Sequence, residues 1–470
     1  MKKLIYPFYI ILILSTESFS QNNDAIVLHL EDFLTMVKKY HPNAKQANLI
    51  LEKGEATLLN ARGAFDPKLF SRMDQKNFEE SKYYSLINSG LKIPTWFGME
   101  LQTGYEKNQG IYLDPENNTP NAGLYYTGFS FSLGQGFLTD ARRTGIRKAQ
   151  AYKKITELER ELALNELLFV GGNVYWDWFM TYHILQVYES AMTLAEDRLS
   201  AVRRGALLGD RPMIDTLEMG IQIQNRKLNL QKARLDYVNI TARLTNYLWE
   251  EALIPFEGTE SIVPVRTDSI SALSMNENYI RQADVFINQH PELRKYQLSL
   301  EQLKLDKRLK KEQIKPVIDL KYNVIAEPIN GDPLANYTLQ NHTWGFDFSM
   351  PLLIRKERGA LKLAEIMVQE ATLDIIANRA SLSINATIAL NEWQVTSDQI
   401  AQYIQTVEDY GKLLTGGQRL FDAGESSLFM LNSREMSFVN AQIKLIELLA
   451  KNQKALLQIK YALGVLNQPL

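Results

Sequence analysis

The sequence predicts an α+β membrane protein in which very long helices, packed as in coiled coils, run on into a transmembrane β-barrel shared by several copies of the chain. Three observations carry this expectation. The chain repeats itself in order, two stretches of roughly 70 residues hold no proline, and short segments between them alternate apolar and polar residues.

The repeat comes first. HPNAKQANLILEKGEATLLNARGAFDPKLF near the start matches HPELRKYQLSLEQLKLDKRLKKEQIKPVIDL far downstream, and Pro67 follows His41, and Pro316 follows His290, by the same 26 positions. YTGFSFSLGQGF from Tyr126 matches HTWGFDFSMPLL from His342. RGALLGDRPMIDTLE matches RLFDAGESSLFMLNS, with Arg204 facing Arg419 and Gly209 facing Gly424, both at an offset of 215. Three blocks in one order imply two structural halves, each running helix, strands, long helix, turn, long helix. The expected partition is a signal peptide over 1–20, a first repeat over 21–251, a connector over 252–275 and a second repeat over 276–470.

The N-terminus reads as a secretory signal. Lys2 and Lys3 precede an apolar run from Tyr6 to Leu14, and Ser18 and Ser20 suit cleavage before Gln21. That run is too short for an anchor helix, and no later stretch reaches the roughly 18 apolar residues a membrane helix needs. Membrane residence would therefore take the form of a barrel.

Pro42 and Pro291 open helices, where a missing N–H costs nothing, and His41 and His290 before them suit capping rather than metal binding. From about Thr139 to Leu208, and again from Arg355 to Asp422, there is no proline. Such helices would measure about 105 Å, long enough for coiled-coil packing between compartments. In the last helix Leu428, Leu431, Val439, Ile443, Ile446, Leu449, Leu456, Ile459 and Leu463 form an apolar stripe. The aromatic run from Val174 to Tyr188 fits core packing between helices.

The strands alternate with period two. Phe129 and Phe131 oppose Gly128, Ser130 and Ser132, while Trp344, Phe346 and Phe348 oppose Thr343, Gly345 and Asp347. Val317 to Val324 behaves likewise. The aromatic positions are the expected lipid-facing residues of a barrel, although a soluble sheet on a helix gives the same alternation. Tyr83 to Ile93 and Trp96 to Asn108 add strand-like sequence in the first half only, before a polar loop over Ile111 to Gly123. Glu327 to Tyr337 is its short counterpart.

Composition narrows the function. Of 470 residues 45% are hydrophobic and 23% charged, which suits a folded chain, and a net charge of −2 argues against a nucleic-acid partner. The absence of cysteine excludes disulfides, thiolate metal sites and a lipidated N-terminal Cys. No HExxH, Walker, GxSxG or Ser-His-Asp pattern is present, so neither enzymatic activity nor a cofactor or metal is expected.

The duplicated halves, proline-opened helices and paired turns LLGDRPMID and DAGESSLFMLN resemble the TolC-type outer membrane efflux protein family from about Ala25 to Gly464. The resemblance implies a homotrimer in outer-membrane lipid. Four strands per protomer would make a twelve-stranded barrel, continued through the periplasm by a helical barrel. It implies a passive exit duct of a tripartite efflux pump or type I secretion system, working with a periplasmic adaptor and an inner-membrane pump or ABC transporter. A periplasmic coiled-coil structural protein without a channel is the alternative. An autonomous porin would need more strands than the helix content leaves room for. Closure physics also favours an oligomer, because so few strands cannot close alone and open edges in lipid strand backbone polar groups.

The family likeness makes the two turns the periplasmic tip that docks the adaptor, at Leu207, Gly209, Asp210, Ala423, Gly424, Glu425 and Ser426. Read as turns alone, Gly209 and Gly424 suit left-handed helix ends, and Asp210 and Ser426 suit caps of the next helices, with Pro212 in a first turn. Asp215, Glu218 and Asp422 are candidate gate residues, or else solvated charges on helix faces. Met430 and Ser433 stand where the family places acidic gate side chains, and Ser426 stands where it places a basic partner.

Overall fold

The computed structural model describes residues 26–256, 261–270, 281–328 and 337–467. The expected signal peptide lies outside these residues, as do 257–260 and 271–275 of the expected connector and most of the loop after Glu327. The fold is mostly helical with one large antiparallel sheet and one small parallel one.

Strand β1 (Ile26–Leu28) and helix α1 (Leu30–Tyr40) lead into α2 (Pro42–Arg62). Proline fills the first turn of α2, and the His41 ring Nδ1 accepts from the Asn43 N–H at 3.1 Å. Four strands follow: β2 (Lys68–Phe78), β3 (Ser81–Pro94), β4 (Met99–Gln109) and β5 (Leu124–Ser132). Helix α3 (Ala141–Leu208) starts two residues later than expected because Asp140 caps it, accepting from the Arg143 N–H at 2.7 Å. Its 68 residues make about 100 Å of helix. A tight turn leads to α4 (Met213–Thr245).

Strand β6 (Ile262–Pro264) pairs in parallel with β1. Helix α5 (Ala283–Gln289) precedes α6 (Pro291–Glu312), where His290 repeats the cap by accepting from the Glu292 N–H at 3.2 Å. Strands β7 (Val317–Ala326) and β8 (His342–Ser349) lead to α7 (Arg355–Asp422), with the bounds the sequence predicted, and then α8 (Leu428–Ala462).

The long helices lie side by side. At the strand-proximal end α2 packs on α3, α3 on α6, and α6 on α7; α4 lies along α3, and α8 lies between α3 and α7. The main core forms midway along α3, where Tyr175, Trp176, Trp178 and Phe179 are at most 2% exposed against Phe33 and Val37 of α1 and Ile446 and Leu449 of α8. The aromatic run is thus interhelical packing in its first half, and the Tyr175 hydroxyl donates to the Leu28 carbonyl at 2.7 Å. Most of the predicted α8 stripe is buried, with Ile443 and Leu456 half-buried.

The large sheet has the order β2-β3-β4-β5-β7-β8, antiparallel throughout. Six strands replace the four that the family resemblance implies. The extra strand-like segments of the first half are β3 and β4, continuous with the rest of the sheet. β2 went unread in the sequence because neither face is uniform: Ser71 and Gln75 interrupt the row of Leu69 and Met73, and Phe70 interrupts the charged row of Lys68, Arg72 and Asp74.

Candidate functional site

Antiparallel register puts paired residues on one side of a sheet, so the pairing list of each strand defines two faces. One row runs Ile93, Leu101, Phe129, Tyr322, Trp344, and the next runs Met99, Phe131, Leu320, Phe346. Phe348, opposite Ile318, extends this side. All five predicted lipid-facing residues therefore share one apolar face that crosses from β3 to β8. Phe129 and Phe131 are half-buried by neighbours on it, whereas Trp344, Phe346 and Phe348 are 68%, 57% and 61% exposed.

The opposite face is polar and cross-linked. Tyr126 Oη donates to Asn88 Oδ1 at 2.9 Å, Gln102 Nε2 to Asn323 Oδ1 at 2.7 Å, and Lys321 pairs with Asp347 at 3.1 Å. Gly104 is required here: a Cβ would fall 2.5 Å from the Tyr126 hydroxyl that reaches over it. One apolar and one polar face is the arrangement of a barrel wall between lipid and water.

At the other end of the long helices sit the two turns. Gly209 and Gly424 adopt φ of 81° and 77°, the left-handed region expected of them. Each closes a Schellman motif: Asp210 N–H donates to Gly205 O at 2.9 Å, and Glu425 N–H to Leu420 O at 2.8 Å. The cap assignments need correction. Asp210 caps nothing; Pro212 occupies the N-cap of α4, because the residue before a proline is driven out of the helical region and the helix cannot begin earlier. In the second turn Ser427, not Ser426, caps α8, accepting from the Met430 N–H at 3.3 Å. The Arg211 guanidinium lies 3.9 Å from the Phe421 ring centroid and ties the first turn to the end of α7.

The remaining tip residues Leu207, Ala423 and Glu425 are exposed, and Ser426 is half-buried. Leu207, Met213, Ile214 and Phe429 are each more than 65% exposed, so both turns carry apolar side chains into solvent in the single chain. Among the gate candidates, Asp215 is half-buried, Glu218 accepts from Asn432 Nδ2 at 3.2 Å, and Asp422 accepts from Gln418 Nε2 at 2.8 Å. Met430 and Ser433 are exposed and are not joined to these carboxylates by any described hydrogen bond.

Sequence reasoning missed a buried ion cluster just above the tip. Glu435 of α8, 1% exposed, accepts from Arg198 of α3 and Arg226 of α4, while Arg226 also donates to the Ala191 carbonyl at 2.8 Å and Arg198 to Gln418 of α7 at 3.3 Å. One carboxylate thus joins three helices, and Arg198 extends the cluster to a fourth. A signal was present: Met219, Arg226, Ala233 and Ile240 are the buried positions of α4 at steps of seven, and Arg226 is the charged one.

Among the described residues, no group of three or more His, Asp or Glu side chains is placed to hold a metal, and no helix is long and apolar enough to cross a membrane.

Residues 284–465 match the sequence model of the family described as outer membrane efflux protein. No curated protein sequence matches the chain. Among solved structures, the Neisseria gonorrhoeae MtrE outer membrane channel in its open state superposes with a TM-score of 0.66 at 14% identity, covering 94% of this chain and 90% of that one. The outer membrane protein VceC of Vibrio cholerae gives 0.65 at 13% identity, over 93% and 96%. The Campylobacter jejuni CmeC outer membrane channel gives 0.64 at 14%, over 93% and 85%. Residues 284–465 are therefore similar to the outer membrane efflux protein family, and nearly the whole chain has the fold of these outer-membrane channels.

Proposed function

We propose that this chain is the outer-membrane exit duct of a tripartite efflux pump or type I secretion system, conducting cargo passively across periplasm and outer membrane. The observation that carries the reading is the six-stranded sheet with one apolar face continuous from β3 to β8, aromatic and exposed on β8, and one polar face bridged by hydrogen bonds and an ion pair. Water would not leave Trp344, Phe346 and Phe348 uncovered side by side without cost, whereas lipid covers them.

The working unit is a homotrimer. Apolar residues of α4 at Ile214, Leu217, Ile221, Leu228 and Leu235, and two runs of α7 at Ile366, Leu373 and Ile376 and at Ile384, Ile388 and Val395, form stripes that the single chain leaves exposed. Their steps of three, four and seven are those of a coiled-coil seam, so neighbouring copies supply the missing faces of a helical barrel. The two matched Schellman turns support the division into two repeats, 21–251 and 276–470, joined by a connector over 252–275. An N-terminal signal over 1–20 supplies export. The apolar tip around Leu207, Gly209, Gly424 and Ser426 docks the periplasmic adaptor, with the inner-membrane transporter beyond it. Asp215, Glu218 and Asp422 line the closed end as gate residues.

The test is fractionation followed by reconstitution. The expressed protein is expected in the detergent-extracted outer membrane and, in planar bilayers, to give discrete conductance steps. Recovery in the periplasmic fraction without conductance would make it a coiled-coil structural protein instead.

A further inference from the structure

In the trimeric reading the sheet and the helices beneath it line one duct, so their widths per chain can be compared. Four helices, α2, α3, α6 and α7, stand side by side where the strands begin. At about 9.5 Å between axes they occupy roughly 38 Å of arc per chain. Six strands spaced about 4.8 Å apart and tilted about 40° occupy roughly 38 Å as well, whereas four strands would occupy only about 25 Å. The extra two strands close the difference between a helical ring and an ordinary barrel.

The added strands are seated in that ring rather than hung outside it. The turn between β3 and β4 comes back to the helix end of the sheet, where Trp96 packs on Phe65 at 5.6 Å between ring centroids and Glu100 pairs with Arg142 at 3.2 Å. One contact reaches the end of α2 and the other the start of α3. The apolar row through Ile93 and Leu101 continues that of Phe129 without a break, and Gln102 and Asn88 face the polar side.

We propose that the pore wall is an eighteen-stranded barrel, closed by edge pairing of β2 of one copy with β8 of the next. This rests on the trimeric reading above. β2 and β8 are the two outer strands of the sheet, each with one paired neighbour among the described residues. Six strands in alternating directions leave β2 and β8 antiparallel, so head-to-tail closure adds one more antiparallel pair of the same kind. Polarity agrees, since β2 brings Lys68, Lys76 and the Arg72–Asp74 ion pair to the polar face on which β8 carries Asp347. The occupant of each edge is thus a second copy of this chain, and the resulting barrel is roughly 36 Å across at the backbone, against about 24 Å for twelve strands.

The cysteine-free sequence allows a clean test. Ser349→Cys is combined, one at a time, with Cys at Lys68, Phe70, Arg72, Asp74 and Lys76, the positions on the polar side of β2. Oxidation of the assembled protein is expected to give reducible covalent dimers and trimers for at least one pair. Ser349→Cys with Glu100→Cys or Gln102→Cys on β4 is expected to give none. Bonds from β4, or none from any β2 position in a protein that is trimeric by native mass, would overturn the eighteen-stranded wall while leaving the trimer standing. A monomeric native mass would instead defeat the trimeric reading itself. Unmodified protein gives an independent count: a density map of the trimer in lipid is expected to show eighteen strands, and twelve would refute the proposal.

Discussion

Replacing Glu435 by glutamine is expected to loosen the lower third of the helical hairpins while leaving the sheet intact. Its carboxylate meets Arg198 and Arg226, and all three side chains are at most 6% exposed, so water cannot take over when the charge is removed. Breaking a buried ion pair by removing one partner costs about 3–5 kcal/mol, because the remaining charge stays buried and uncompensated. Here two guanidiniums are left facing one another across the α3–α4–α8 junction. Native-state hydrogen exchange reads the local opening directly: amides around Arg226 and Glu435 should exchange roughly 150- to 4000-fold faster, the same energy expressed as an equilibrium ratio. Amides of the core around Trp178 should not change. The variant Arg198→Met, Arg226→Met, Glu435→Leu removes every charge at once and is expected to return exchange to within about tenfold of the parent, since well-packed apolar replacements of buried ion clusters are often neutral or stabilising. A single variant that exchanges like the parent, or a triple variant as loose as the single one, would refute the reasoning.

Phe346→Arg or Phe348→Arg should reduce assembly in the outer membrane, at about 2–4 kcal/mol per site near the midplane, whereas Asp347→Asn on the polar face should assemble normally; heat-modifiable band intensity on gels checks the order. Gly424→Val should leave trimer yield unchanged and abolish export, because no atom lies within 4 Å of the added Cβ and the φ of 77° costs only about 1–2 kcal/mol. Ser426→Arg should weaken adaptor cross-linking with no backbone strain, and unimpaired export in both would remove the docking role. Burial lowers the His41 and His290 pKa below the ordinary value of about 6.5, and both rings cap helices as neutral acceptors. Their contribution is therefore full above about pH 6.5 and lost as pH falls below it towards the depressed folded values. His41→Asn with His290→Asn keeps the caps and should flatten melting temperature against pH between about 5 and 7; an unchanged slope would show that other groups set it.

Much of the fold was legible because it is written in local periodicity. The 355–422 helix, the His-Pro starts and the glycine turns follow from backbone rules that need no tertiary information. The apolar face was legible for β5 and β8, where aromatics alternate with small polar residues. β2 was not, because Phe70 breaks its charged row and Ser71 and Gln75 break its apolar one, and its place is set by pairing with β3. Strand number escaped for the same reason, since it depends on what pairs with what. At the tip the capping residues were displaced by one or two positions. Pro212 delays the start of α4, and Ser427 lies one residue nearer Leu428, whose burial fixes where α8 begins. The Arg198–Glu435–Arg226 cluster assembles residues up to 237 positions apart. Only the charged residue in the heptad of α4 hinted at it.

Assembly is the point on which duct, helical barrel and closed pore wall all depend. The mass of the purified mature chain in mild detergent, measured by light scattering, tests it directly. A trimer of roughly 150 kDa of protein is expected, because neither the open sheet nor the apolar stripes of α4 and α7 can be closed within one copy. A monodisperse monomer under the same conditions would contradict the account.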